Sequence, residues 1–255
     1  MGRFFLEIAY KGTDFHGWQI QTNAVTVQGK INDALSTLLG AEILTAGCGR
    51  TDTGVHASQY FLHFDMPTTH LPKNILYMLN SVLGKGIACL AVYEVEAEQH
   101  VRYDANYRAY DYFIHRKNDP FLVGLSTFYR EQNLDVAKMR RCFSFLKTLD
   151  SFESFEKTNT DNNHSRCSIY RTQITFSEDS IRFHIAANRF LRGMVRLIVG
   201  SLLLVGRGKL TEEEFYENAS KGERFSINWS VPAEGLYLSE IRYPYSLRLV
   251  KEERP

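Results

Sequence analysis

Hydrophobic positions along the chain switch between a period of two and a period near 3.6, and these switches divide it into elements. Leu6, Ile8 and Tyr10 alternate with Phe5 and Glu7, which predicts an opening strand. Val27, Ile31, Ala34, Leu35 and Leu38 then share one face of a helix, with Thr26 placed to cap its start. Residues 59–66 alternate again, with Tyr60, Leu62 and Phe64 on one side. A second helix is predicted over 72–83, with Pro72 suited to its first turn, and a buried strand over Ile87–Val95. In the second half, Tyr107–His115 and 173–187 read as strands, while 136–146 and 194–205 read as helices. Between them the polar stretch 157–168 predicts an exposed, mobile loop. No short sequence repeat is visible. Strands and helices mixed in this order, in two halves of similar make-up, predict an α+β protein with a mainly antiparallel sheet.

Composition narrows the class. The chain has 255 residues, 44% hydrophobic and 23% charged, which is ordinary for a globular protein with a substantial core in one large or two smaller domains. Its longest apolar stretch, 197–205, is interrupted by Gly200 and Ser201 and is too short to cross a bilayer. Glu7 breaks the apolar start at once, so no export signal is read and the cytoplasm is the expected location. Cys48, Cys89, Cys142 and Cys167 are widely separated and lack metal-ligand spacing, so free thiols are expected and no metal site. The formal net charge of only +1 means that any nucleic-acid site must come from local clustering.

The densest chemistry lies in residues 47–57, Gly-Cys-Gly-Arg-Thr-Asp-Thr-Gly-Val-His-Ala. Gly47, Gly49 and Gly54 are expected to free the backbone for positive φ and close approach, with Asp52 alone in the middle and Arg50 two residues away. One rigidly held carboxylate beside room for a flat substrate suits a nucleophile; an Asx-turn with a solvated Arg50 is the plainer alternative. A second cluster, residues 102–112, interleaves Arg102 and Arg108 with Tyr103, Tyr107, Tyr110 and Tyr112, and Tyr110 and Tyr112 share a strand face. Arginine beside an aromatic ring can hold a splayed-out base while neutralising phosphate, although aromatics on a strand also simply pack. In a third cluster, residues 188–200, Arg189 lies near the turn into a helix, and Arg192 and Arg196 at i and i+4 are expected on one helical face. Met194, Leu197, Ile198 and Leu202 supply the buried face, so Arg196 stands at the edge of apolar surface, where it could keep a nearby carboxylate ionised.

The spelling of these clusters resembles the TruA-type bacterial tRNA pseudouridine synthases. Residues 49–57 match that family's signature loop, with Thr53 where Ala is usual. Residues 102–112 match its Arg-Phe-x-Ala-x-x-Arg-x-Tyr-x-Tyr stretch, and 190–200 its Phe-x-x-x-Met-Val-Arg-x-Ile-Val-Gly motif. Residues 10–21, with Lys11 for the usual Asp, and 232–238 resemble its first and last motifs, so the likeness runs over about 4–243. Asp150-Ser151 replaces His-Asp, and Gln99-His100-Val101 replaces Phe-His-Ala. The resemblance implies two RRM-like α/β halves forming one extended, mainly antiparallel sheet, with helices on one side and a central active-site cleft. Residues 1–100 would carry the Asp loop and 101–255 the Tyr strand and Arg helix. It further implies isomerisation of uridine to pseudouridine in the tRNA anticodon stem-loop, by a homodimer, without cofactor or metal. Asp52 would be the nucleophile, Arg196 its electrostatic partner and Tyr110 the residue touching the target uracil. Arg50, Thr51, Thr53, Gly54, His56, Arg102, Arg108, Arg189 and Arg192 would join Tyr110 in binding substrate.

Two other classes stay open on the residues themselves. A non-catalytic RNA-binding protein of the same shape would need no lone pocketed acid. A carboxylate hydrolase would need two acids flanking the bond; no second acid lies in the Asp52 loop, but Asp14 or Asp104 could approach it in space.

Overall fold

A computed structural model describes residues 2–68, 70–157 and 164–250. They form two compact units, one made of residues up to Asn106 together with those from Leu238 onward, the other of Tyr107–Tyr237. The first unit contains β1 (Gly2–Tyr10), α1 (Val27–Leu39), β2 (Ala46–Gly47), β3 (His56–Met66), α2 (Ile75–Leu83) and β4 (Ile87–Val95). The second contains β5 (Tyr107–His115), β6 (Thr127–Phe128), α3 (Val136–Phe145), β7 (Ile169–Phe176), β8 (Ser180–Ala187), α4 (Met194–Gly206) and α5 (Glu212–Lys221). Strand β9 (Leu236–Arg242) returns the chain to the first unit, where β10 (Arg248–Leu249) pairs with β4.

Strand pairing is antiparallel for β1 with β3 and β4, β2 with β3, and β8 with β5 and β7; β6 runs parallel to β5. The protein is therefore α+β and mainly antiparallel. Each unit follows one plan. A first strand (β1 or β5) leads to a helix, then to an antiparallel pair (β2–β3 or β7–β8) whose second member lies beside the first strand. The repeat exists in topology although no sequence period announces it.

The hydrophobic pattern decides most elements. Thr26 caps α1, its Oγ1 accepting the Gly29 N–H at 3.2 Å, and Val27, Ile31, Ala34 and Leu35 are buried. One face of β1 and most of both faces of β3 are buried, and on the other side Tyr243 from the C-terminal segment covers Phe5 and Phe61, each with ring centroids 5.4 Å away.

Several expectations need correction. Helix α2 starts at Ile75, and Pro72 stands in the preceding turn, where its carbonyl accepts the Ile75 N–H. Strand β4 is only half-buried. The span 173–187 is a hairpin: β7 begins at Ile169, and residues 177–179 turn the chain into β8. Of the stretch 157–168 expected as a mobile loop, residues 158–163 lie outside the described residues. Helix α4 begins at Met194 after Gly193 at φ 71°, so Arg192 precedes the helix and shares no helical face with Arg196. All four cysteines are free and buried, and burial pushes the thiols of Cys89 and Cys142 up to about 12 and that of Cys167 up to about 11.

Candidate active site

The Asp52 loop joins β2 to β3, and polar bonds within its own unit brace it. Thr51 is buried; its hydroxyl shares a 2.8 Å hydrogen bond with the Tyr10 hydroxyl, and its carbonyl accepts the Trp18 N–H at 3.2 Å. The Asp52 carbonyl accepts the Val55 N–H at 3.1 Å, closing a turn in which Gly54 takes φ 79°. Beyond the turn, buried His56 accepts the Gly12 N–H on Nδ1 at 3.0 Å, which places its proton on Nε2. Asp52 itself is half-buried, while Arg50 and Thr53 are exposed. The carboxylate is thus presented on a braced turn.

Of the three glycines expected to need positive φ, only Gly54 has it. Gly47 is small for another reason: the Tyr60 hydroxyl and the Trp18 indole crowd its Cα, and any Cβ would strike them. Tyr60 in turn donates to the Gly49 carbonyl at 2.5 Å and stacks on Trp18 at 4.3 Å. Gly49 itself has open space around it. Gly12 lies so close to the Val55 carbonyl that a side chain there cannot be accommodated. Tyr10, Gly12, Trp18 and Tyr60 are therefore the loop's support. Sequence reasoning had placed Tyr10, Gly12 and Trp18 in a motif of their own without linking them to Asp52.

Arg102 lies in the first unit, exposed on the turn that follows β4. The other candidates belong to the second unit. Tyr110 is half-buried on β5, its ring meeting Phe190 edge-on at 5.1 Å. Tyr112, on the same face, is wholly buried; its hydroxyl bonds the Thr127 hydroxyl at 2.7 Å and the Pro232 carbonyl at 2.9 Å, so it is a core residue. Burial raises its hydroxyl pKa, which keeps it protonated. Arg108 donates to the Asn188 carbonyl at 2.8 Å, and the Asn188 side chain accepts the N–H groups of Ser168 and Arg189 at 2.8 Å each. Arg189 also reaches the His164 ring at 3.2 Å, and Arg192 is exposed.

Every residue of α4 is buried except Arg196. The helix thus projects a single half-buried cation, and its Nε donates to the Val231 carbonyl at 2.6 Å, while the Val231 N–H returns to the Arg196 carbonyl at 3.3 Å. Sequence reasoning did not find Val231, since a backbone carbonyl leaves no trace in residue type.

Among the described residues no group of three or more His, Cys, Asp or Glu side chains is placed to hold a metal ion, and no helix is long and apolar enough to cross a membrane. The tRNA pseudouridine synthase family profile matches residues 149–244, a span that includes Arg189, Arg192 and Arg196. The tRNA pseudouridine synthase A of Parabacteroides distasonis is 39% identical over 254 residues, covering 99% of this chain and 100% of that protein. The enzyme of that name from Porphyromonas gingivalis is 38% identical, covering 98% and 100%. That from Thermoanaerobacter sp. (strain X514) is 35% identical, covering 95% and 100%. Matched along its whole length at this identity, with a braced Asp52 loop in one unit and a lone cation on the apolar helix of the other, the chain belongs to the tRNA pseudouridine synthase A family.

Proposed function

We propose that this chain converts uridine to pseudouridine in the anticodon stem-loop of tRNA, with Asp52 as the nucleophile. The observation that supports it most is the Asp52 turn: a half-buried carboxylate whose flanking residues are tied down, Thr51 to Tyr10 and Trp18, and His56 to Gly12. Preorganisation of this kind suits a nucleophile, because the geometry is fixed before substrate arrives. The carboxylate adds either to C6 of uracil or to C1′ of the ribose. The N1–C1′ bond breaks, the base turns, C5 bonds to C1′, the bond to Asp52 breaks again to return the carboxylate, and the C5 proton is lost as N1 gains one. Redox state does not change. Arg196 pairs electrostatically with Asp52, and Tyr110 holds the uracil. Arg50, Thr53, Gly54, Arg102, Arg108, Arg189 and Arg192 meet the RNA, whose target must leave its stack at a cost of a few kcal/mol. Thr51 and His56 serve the same site by bracing the turn from behind. The reading includes a cytoplasmic homodimer in which one tRNA touches both subunits, which sedimentation at twice the chain mass would support.

The test is incubation of the purified protein with unmodified tRNA tritiated at uracil C5. Wild type releases tritium to water and Asp52→Asn does not, while both bind tRNA. Tight binding without release by the wild type removes the isomerase reading for these substrates.

A further inference from the structure

Ahead of β5, residues 99–104 form a hydrogen-bonded turn on which the side chains of Arg102 and Tyr103 are exposed. The His100 N–H donates to Asp104 Oδ2 at 2.7 Å, and the Asp104 N–H returns to the His100 carbonyl at 3.1 Å. Within this closed box, His100 Nδ1 accepts the backbone N–H of Arg102 at 3.1 Å and of Tyr103 at 3.4 Å. Two tyrosines of the C-terminal segment brace it: Tyr245 donates to Asp104 Oδ2 at 2.8 Å and Tyr243 to the Val101 carbonyl at 2.9 Å. From β1, Arg3 donates to the Gln99 carbonyl at 3.1 Å while paired with Asp65. Val101 is a fully buried plug beneath the turn.

On this rigid base Tyr103 is 76% exposed. Its ring lies against His100 at 4.3 Å, with 36° between the planes, and the Arg102 guanidinium carbon is 5.9 Å from its centroid. Because the turn is already hydrogen-bonded in place, a base stacking on this ring would pay little further ordering entropy. A fixed ring beside a guanidinium offers what a single-stranded nucleotide requires, a π-face for the base and a cation for the phosphate.

We infer that Tyr103 and Arg102 form a stacking site for an unpaired nucleotide of the substrate RNA other than the reacting uridine, and that His100 is the positioning residue that keeps this site in shape. The inference rests on RNA being the substrate. It assigns Tyr103 a role in affinity, because stacking there is the same before and during reaction, so it moves KM and leaves kcat. Burial and the neighbouring Arg3 charge hold the His100 ring below its usual pKa, in the neutral form that can accept both N–H groups.

The experiment is tRNA binding and steady-state tritium release for five variants whose folding is checked by circular dichroism. Tyr103→Ala and Tyr103→Leu are expected to raise Kd and KM on the order of tenfold with kcat within about twofold, whereas Tyr103→Trp keeps wild-type affinity. His100→Ala follows Tyr103→Ala, and His100→Asn, whose amide oxygen can take the place of Nδ1, restores most of the affinity. Wild-type affinity in Tyr103→Ala, or equal affinity in Tyr103→Leu and wild type, overturns the stacking site. Failure of His100→Asn to rescue removes the positioning role. A protein that binds tRNA through Tyr103 but releases no tritium keeps this inference and removes the isomerase reading; tritium release untouched by Tyr103→Ala does the reverse.

Discussion

Asp52 and Arg196 are each a single charge held in place, and the two are held by different physics. The Asp52 turn has little apolar surface of its own; hydroxyls, an imidazole and backbone groups of Tyr10, Gly12, Trp18 and His56 fix it. Arg196 stands on a helix whose other residues are all buried, and one carbonyl, that of Val231, orients it. Hydrogen bonds and close backbone approach are directional and local, so damage to the turn should disable chemistry before it unfolds the protein. Apolar burial is non-directional and shared, so damage to α4 should lower stability first.

The largest effect should come from the helix. Ile198→Ala, at a fully buried position of α4, is expected to cost about 2–5 kcal/mol in chemical denaturation while the activity of the folded fraction survives. In the turn, Gly12→Ala drives a Cβ into the Val55 carbonyl; we expect a stability loss of about 1–3 kcal/mol with activity falling out of proportion to it. If instead the two losses run in parallel, the turn is no more local than the helix and the contrast fails. A smaller effect, about 1 kcal/mol, is expected of Thr51→Val and of Tyr10→Phe, and the double mutant should cost little more than either, since both remove one bond.

The gentlest probe is pH. Burial, aided by His100 and Arg3, lowers the pKa of His63 to about 4, against Asp65 and Asp104, which raise it. The unfolded chain takes up this proton near pH 6.5 and the folded one does not, so stability should fall as pH drops from about 6.5 towards 4 and level off below. Asp65, held under the usual carboxylate range by Arg3, adds its loss lower still. Melting curves of His63→Gln against wild type across that window should show the flatter profile in the variant.

Periodicity located α1 with its Thr26 cap, because the helix buries one regular face, and the bounds of β4 and β5 were legible as well. It did not find α5, whose mean character is polar, although Thr211 accepting the Glu214 N–H and Gly222 at its end are the marks of a capped helix. The alternation through β7 and β8 concealed a hairpin whose turn contains no glycine, only Ser177, Glu178 and Asp179. At the site, Asp52, Tyr110 and Arg196 were legible as residue types in a pattern. The partners that hold them were not: Gly12 and Val231 act through backbone groups far away in sequence, and Tyr60 through a hydroxyl on the Gly49 carbonyl, none of which residue type announces. Arg192 was misplaced because the helix begins only after Gly193, whose positive φ keeps the preceding residues out of it.

The four buried thiols have a practical consequence. Cys48 and Cys89 lie in the first unit, Cys142 and Cys167 in the second, each shielded from solvent. An alkylating reagent can reach them only when the surrounding structure opens, and site-resolved mass spectrometry can tell the four apart. The protein therefore carries a pair of built-in clocks in each half, and the ratio of their labelling rates, with and without tRNA, would record which half breathes and which one the RNA quiets.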